Sequence, residues 1–67
     1  MGMKYIRDYY QVPAKRGGEI RYTGEKNKAT LMKILSARGA YLKCVILEGE
    51  NAGHNTLLHP TWEIEYL

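Results

Sequence analysis

The sequence predicts an all-β fold, a small barrel of five short strands, on three observations. The chain has 67 residues, 45% hydrophobic and 25% charged, which is the balance of one small folded domain rather than of a disordered chain. Apolar and polar residues alternate with a period of two in several short runs, and glycine-marked turns separate these runs. Closing such a sheet into a barrel buries one face of every strand and removes most of its exposed edges.

Two segments divide the chain. Residues 1–11 are predicted as a short strand or a single helical turn that packs on the barrel, and residues 12–67 as the barrel itself. Pro13 marks this boundary, because proline favours extended geometry at the residue before it and would end a helix there. Residues 15–18, with the sequence KRGG, are predicted as a turn, since glycine adopts positive φ angles at little cost.

Three strands are predicted after that turn. Residues 19–23 alternate apolar and polar side chains, so Tyr22 is expected to face the core. Residues 29–37 fit both a helical face and a strand face. The hairpin signal at Gly39, and the β-branched and aromatic run at 41–47 that follows it, favour the strand.

Two short strands are predicted at the end of the chain. Residues 56–59 form the first, and a one-turn 3-10 helix around Pro60 leads into the second. In the last strand Trp62, Ile64 and Tyr66 are expected on one inner face. Because the chain contains no Phe, the aromatic part of the core is expected to come from Trp62 and some of the six tyrosines.

The chain contains a glycine turn and strand in GGEIRYTG, a hairpin in ILSARGAYLKCVIL, and a one-turn break before a final strand in HPTWEIEYL. Their order resembles the Src-homology-3-like (SH3-like) barrels, and within them the small barrels of the translation-associated KOW type. The longer pattern VPAKRGG…YTG…ARGAYL…HPTWEIEY is also similar to small uncharacterised proteins of bacteriophages and prophages. The run EKNKATLMK departs from the barrel pattern, because it stands where a compact glycine turn often lies. The resemblance implies a binding module and leaves its ligand open, since such barrels bind RNA, DNA and peptides and also have architectural roles.

Side chains that carry catalytic or metal chemistry are few. Cys44 lies on the expected inner face of its strand, where a thiol is a small, inert core residue. His54 and His59 are too few and too far apart to make the paired ligand sets of a zinc site. Glu63 and Glu65 are expected on the solvated outer face of the last strand. Because no phosphate-binding or nucleophile motif is present, the chain is predicted to be no enzyme and to use no cofactor or metal.

The same composition bears on location. A single cysteine excludes an internal disulfide and favours the cytoplasm. No apolar run approaches the roughly 20 residues of a membrane span. The sequence therefore predicts a cytoplasmic protein without a membrane partner.

The charge of the chain is distributed unevenly. Residues 1–43 hold all ten lysines and arginines against three carboxylates, a net charge of +7, whereas residues 44–67 carry −4. Such asymmetry is typical of a surface that binds a polyanion, unless folding mixes the charges in space. Cations neutralise phosphates, and tyrosine rings stack on unpaired bases. The predicted nucleic-acid-binding residues are Lys15, Arg16, Arg21, Arg38, Tyr41 and Lys43.

Two functions stay open at the level of sequence. The first is weak binding of RNA or DNA, with low sequence specificity, by this basic and aromatic face. The alternative is a protein-interaction or structural accessory module, whose exposed tyrosines, Trp62 or edge strand would contact another protein or a second copy. In either case the chain is expected to be a monomer or a weak homodimer.

Overall fold

A five-stranded antiparallel sheet, with one short helix packed on its inner face, makes up the protein. The computed structural model describes residues 2–25 and 28–67. The elements in chain order are α1 (Met3–Tyr10), β1 (Glu19–Glu25), β2 (Lys28–Arg38), β3 (Tyr41–Ile46), β4 (Asn55–Leu58) and β5 (Ile64–Tyr66). The strands lie side by side in the order β4-β3-β2-β1-β5, so the last strand pairs with the first. The prediction of a small all-β domain with five strands is confirmed, and β4 and β5 form the two edges of the sheet.

The N-terminal segment is an α-helix, which excludes the short strand and is longer than the single helical turn that the sequence left open for residues 1–11. Residues Met3–Tyr10 form about two turns of α-helix. Met3, Ile6 and Tyr10 recur at helical spacing and pack against the core, with Ile6 fully buried. The helix is therefore held by tertiary packing of one apolar stripe, which a search for period-two alternation does not detect.

The long strand β2 pairs with β1 on one side and with β3 on the other. Its register with β3 shifts between Ile34 and Ser36, which is a β-bulge. A bulge bends a strand and increases its twist, so β2 is expected to change direction at this point. The prediction that residues 29–37 form a strand is confirmed, and Gly39 occupies the hairpin turn with a φ of +59°.

The glycine turn before β1 is confirmed and is joined to β2. Gly17 has a φ of +79° and its N–H donates to the carbonyl of Ile34 over 2.8 Å. The N–H of Ile34 returns a bond of 2.8 Å to the carbonyl of Gly18. The turn thus extends the β1–β2 pairing beyond the first residue of β1.

The core lies between the helix and the inner face of the sheet. Its buried apolar residues are Ile6, Ala14, Ile20, Met32, Ile34, Leu42, Cys44 and Leu58. Tyr22, Ile64 and Tyr66 are half-buried against this cluster, which confirms the inward direction predicted for Tyr22. The Tyr66 hydroxyl donates to the Pro60 carbonyl over 2.7 Å and ties β5 to the preceding turn.

The connection between β4 and β5 is a hydrogen-bonded turn and not the predicted turn of 3-10 helix. The N–H of Trp62 bonds to the carbonyl of His59 over 3.3 Å. The N–H of Thr61 bonds instead to Nδ1 of the His59 ring over 3.2 Å. Because Glu63 has a φ of +55°, outside the right-handed helical region, the turn does not continue as a helix.

Trp62 does not lie in the core, which corrects a second expectation for this region. It precedes β5 and is 65% exposed. Glu63, the next residue, has a φ of +55°, so the alternation of β5 does not extend back to Trp62. The aromatic contribution to the core comes instead from Tyr10, Tyr22 and Tyr66.

Alkaline pH is expected to destabilise the fold through Cys44. Burial raises the pKa of this thiol to about 11, whereas the unfolded thiol ionises near its ordinary value. Stability is therefore full below the unfolded pKa and falls as pH rises toward the folded pKa. We expect a loss of about 1 to 2 kcal/mol in the free energy of unfolding by pH ~10, measured by urea denaturation. The Cys44→Ala variant lacks this group, so an equally steep decline in that variant would contradict the assignment.

Candidate functional site

Six aromatic rings form a continuous row over one side of the molecule, called here the aromatic row. Its members are Tyr5, Tyr9, Tyr10, His59, Trp62 and Tyr41. Helix α1 supplies the first three: Tyr5 stacks on Tyr9 with centroids 5.4 Å apart, and Tyr9 meets the edge of Tyr10 at 4.9 Å. Tyr5 and Tyr9 are four residues apart, so the helix itself places them on one side.

His59 joins the helical rings to the rings of the sheet. Its imidazole meets Tyr10 at 5.2 Å and Tyr41 at 6.0 Å, both edge-on. It stacks on Trp62 with centroids 4.1 Å apart and an angle of 14° between the planes. The hydrogen bond from the Thr61 N–H to its Nδ1 fixes the ring in this position. The turn after β4 therefore links two distant parts of the chain into one surface.

Much of the aromatic row faces solvent. Tyr9 is 66% exposed and Tyr41 is 46% exposed, and Trp62 is exposed to a similar degree. Leu57, on the neighbouring edge strand β4, is 54% exposed and adds to the same surface. A contiguous apolar surface of this kind, with polar groups at its border, is typical of a binding site.

Three of the six predicted nucleic-acid-binding residues lie together beside the aromatic row. Arg38 is directly opposite Tyr41 across the β2–β3 hairpin, and Lys43 is opposite Leu57 across β3 and β4. Arg38, Lys43 and Leu57 also line one shallow depression. The structure thus places two cations next to exposed rings on adjacent strands.

The other three predicted residues are placed differently. Arg21 donates to Glu65 over 2.6 Å in a salt bridge between β1 and β5. Lys15 and Arg16 belong to the glycine turn, and Lys15 lines a separate depression with the C-terminal Leu67. The six residues therefore do not share one site, although their role in binding stays a prediction.

A pocket of about 260 Å³ opens beside the row and is called here the aromatic pocket. Its walls come from β1, β3, β4 and the turn before β5. The lining residues are Tyr22, Tyr41, Leu57, Leu58, His59, Trp62 and Glu63. Glu63 is the one carboxylate among them.

Glu63 adopts an unusual backbone conformation. Its φ of +55° lies in the left-handed region, which costs a non-glycine residue about 1 to 3 kcal/mol. Its carboxylate and the Tyr22 hydroxyl both lie close to Gly24, where an added Cβ would overlap them both. Among residues 2–25 and 28–67, Glu63 has no salt-bridge partner. The expectation that Glu63 and Glu65 share the outer face of the last strand fails for Glu63, which precedes β5 and has a positive φ, whereas Glu65 lies in β5 and binds Arg21.

Sequence reasoning missed most of the aromatic row as a site. The sequence pattern places Trp62 in the core, and it does not show that Tyr5, Tyr9 and Tyr10 lie on one helix. The signal that could have found the helical part is the i,i+4 spacing of Tyr5 and Tyr9 together with Met3, Ile6 and Tyr10. The contact of His59 with Tyr10 joins residues 49 positions apart, and no local pattern reports it.

Other chemistry is sparse in the described part of the chain. Cys44 is buried, and its raised pKa keeps it as a neutral thiol. No group of three or more His, Cys, Asp or Glu side chains is placed to hold a metal ion within the described ranges. None of the helices described there is long and apolar enough to cross a membrane. Comparison with protein-family models, curated proteins and solved structures finds no match to this chain.

Proposed function

We propose that this protein is a non-enzymatic module that binds single-stranded RNA or DNA on the aromatic row. The observation that carries the proposal is the continuity of six rings of which Tyr9 and Trp62 are about two-thirds exposed. Stacking of an unpaired base on an aromatic ring contributes about 1 to 3 kcal/mol and tolerates every base. Bases inside a duplex are already stacked, so this surface suits a single strand. Binding is weak and largely independent of sequence.

Arg38 and Lys43 supply the electrostatic part of this interaction. Neither forms a salt bridge with another described residue, in contrast to Arg21. Arg38 lies directly opposite Tyr41, and Lys43 lies two residues from Tyr41 along β3 and opposite Leu57, so a backbone whose bases stack on the row passes close to both cations. Cations that neutralise phosphates release counterions, which makes such binding dependent on salt.

The proposed architecture is an SH3-like barrel preceded by a helix. Three features support it: the pairing of β5 with β1, the bend in β2 at its bulge, and the pocket that β1 shares with β3 and β4. β1 and β4 are separated by two strands and would not line one pocket in a flat sheet, whereas a strongly curled sheet brings them together. The similarity to phage and prophage proteins, and a cytoplasmic location, stay predictions.

Replacing both cations is expected to weaken binding uniformly across sequences. The double variant Arg38→Gln/Lys43→Gln would bind oligomers of about eight uridines or thymidines more weakly than the wild type. The slope of log affinity against log salt should decrease by about 1.4, at ~0.7 per phosphate contact on a single strand. Fluorescence anisotropy of labelled oligomers over a series of salt concentrations measures both effects.

Arg21→Gln is the matched control, because Arg21 is already paired with Glu65. We expect this variant to keep the wild-type salt slope. If the wild type binds neither oligomer at low salt, the proposed function is wrong. A salt slope that is the same in the double variant and the wild type would remove Arg38 and Lys43 from the interface.

The alternative function, a protein-interaction module, is favoured by one specific observation. Leu57 projects from the edge strand β4 and is more than half exposed beside Trp62. An edge strand offers backbone hydrogen bonds to an added strand, and an apolar side chain strengthens such pairing. Sedimentation of the chain without nucleic acid distinguishes the two functions, since a stable dimer would favour this alternative.

A further inference from the structure

We infer that the aromatic pocket is a subsite for one unpaired guanine base, whose edge is recognised by the carboxylate of Glu63. The inference rests on the proposed function, because the pocket shares Tyr41, His59 and Trp62 with the aromatic row. It adds one position of base preference to a surface that otherwise binds strands of any sequence.

The size and walls of the pocket suit a single planar base. Its volume of about 260 Å³ is below the range of pockets that enclose whole drug-sized ligands, which begin at roughly 300 Å³. Tyr22, Tyr41 and Trp62 are among its lining residues and supply aromatic walls. The stack on His59 occupies one face of the Trp62 indole and leaves the other face for a ligand.

The carboxylate of Glu63 determines which base fits. An ionised carboxylate only accepts hydrogen bonds, so the edge that meets it must present donors. Guanine presents two adjacent donors, the ring N1–H and the exocyclic amino group, which match the two carboxylate oxygens. Adenine and cytosine present an amino group beside a ring-nitrogen acceptor, and uracil presents one N–H between two carbonyls. In each of these bases a lone pair faces the carboxylate and weakens the contact.

The Tyr22 hydroxyl completes the match. It lies beside the Glu63 carboxylate, since both groups approach the same point above Gly24. A hydroxyl can donate, and the O6 acceptor of guanine stands next to N1–H on the same edge. The Tyr22 hydroxyl therefore donates to O6, while the two carboxylate oxygens of Glu63 accept from N1–H and from the exocyclic amino group.

The backbone of Glu63 gives independent support. The left-handed conformation is strained for glutamate, and glycine at this position would relieve the strain. Strained residues are concentrated at functional sites, where the surrounding structure holds a side chain in a required place. Here the N–H of Thr23 bonds to the Glu63 carbonyl over 2.7 Å and holds the residue against β1.

A cationic side chain of a protein partner is the competing occupant, because aromatic walls with a carboxylate also attract cations. The neighbouring charges favour the base. Arg38 and Lys43 adjoin the row on the side of Leu57, where they attract phosphate and repel a cationic ligand. The experiment below separates the two occupants.

The test uses labelled RNA oligomers of about eight uridines in which one central residue is guanosine, inosine, adenosine or uridine. We expect the guanosine oligomer to bind about tenfold more tightly than the all-uridine oligomer, which is within the range for a bidentate base contact. Inosine lacks the exocyclic amino group and should recover only part of this difference. Adenosine should bind close to the all-uridine oligomer.

Two variants report on the recognition itself. Glu63→Gln replaces one acceptor oxygen by a donor amide, so the ratio of guanosine to uridine affinity should fall close to one. Gly24→Ala places a methyl group where Tyr22 and Glu63 meet and should lower the same ratio while both groups remain in the chain. Glu65→Gln is the control: it changes a carboxylate two residues away that pairs with Arg21, and it should keep the guanosine preference.

The outcomes distinguish this inference from the proposed function. If all four oligomers bind equally, the guanine subsite is wrong and the proposed function stands. If none binds, the proposed function itself is wrong. A guanosine preference that survives both Glu63→Gln and Gly24→Ala would place base recognition elsewhere. Quenching of Trp62 fluorescence by arginine amide, without quenching by guanosine monophosphate, would assign the pocket to a cation.

Discussion

Replacing Trp62 with alanine is expected to weaken binding of a single-stranded oligomer about tenfold or more. The indole is the largest exposed ring of the aromatic row, and it lines both the row and the aromatic pocket. Loss of one stacking platform costs about 1 to 3 kcal/mol, which is about 5- to 150-fold in the dissociation constant. The effect should be present for uridine and thymidine oligomers alike, because stacking does not depend on the edge of the base. Anisotropy titration at one low salt concentration measures it.

The same substitution should leave the fold almost unchanged. Trp62 lies outside every strand, and its backbone N–H still bonds to His59 after the indole is removed. Substitutions at such exposed positions usually change stability by less than about 0.5 kcal/mol. Leu67→Ala is a matched control, since Leu67 is 61% exposed and lies beside Lys15 rather than on the row. Equal loss of affinity in the two variants would indicate general weakening and would exclude a specific role for Trp62.

The strands could be predicted from sequence where one face of a strand is buried. In β1 and β3 the side chains alternate between core and solvent, so buried residues recur at every second position of the sequence. The ambiguous run at 29–37 was resolved by its neighbours, because the glycine turn at Gly39 requires a hairpin partner on each side. In these segments local pattern and tertiary packing give the same answer.

The helix could not be predicted with the same certainty, because its stability is not local. A helix of eight residues is marginal in water by itself, and α1 depends on burying Ile6 against the sheet. The three tyrosines of this segment favour strands over helices. Which side of each tyrosine ring is buried depends on how the helix packs against the sheet.

The candidate site depends on pairings between residues far apart in the sequence. For this reason the sequence alone could not decide whether the uneven charge persists in the folded protein. The salt bridge of Arg21 with Glu65 joins residues 44 positions apart through the pairing of β1 with β5. Folding therefore mixes part of the charge asymmetry in space, as one of the two interpretations anticipated.

At Trp62 and Glu63 the sequence pattern fails for a different reason. The run from Trp62 to Tyr66 alternates as a strand would, yet the positive φ of Glu63 ends the alternation. Glutamate is not a residue that signals left-handed geometry, so nothing in the sequence marks the break. Positions where local preference is overruled in this way are frequently functional, and here the overruled residue lines the aromatic pocket.

Replacing Leu42 with alanine is expected to remove much of the stability of the domain. Leu42 is fully buried on β3, opposite Ala37 of β2 and Leu58 of β4. Leucine-to-alanine changes in a core cost about 2 to 5 kcal/mol, from lost burial and from the cavity that remains. A chain of this size has only about 3 to 10 kcal/mol in total, at ~0.05 to 0.15 kcal/mol per residue. We therefore expect a large decrease in the urea midpoint, and unfolding at room temperature if the wild type is at the low end.

Leu57→Ala gives the matched control for this core substitution. Leu57 is one residue from Leu58 on the adjacent strand, but it points to the outer face and is largely exposed. The same loss of side-chain atoms should cost less than about 1 kcal/mol there, because little area leaves water on folding. The comparison tests the assignment of the two sheet faces on which the site depends. If the two variants lost equal stability, Leu42 would not lie on a buried inner face, and Tyr41 and Lys43, its neighbours on the strand, would not lie on the outer face where ligand binding is proposed.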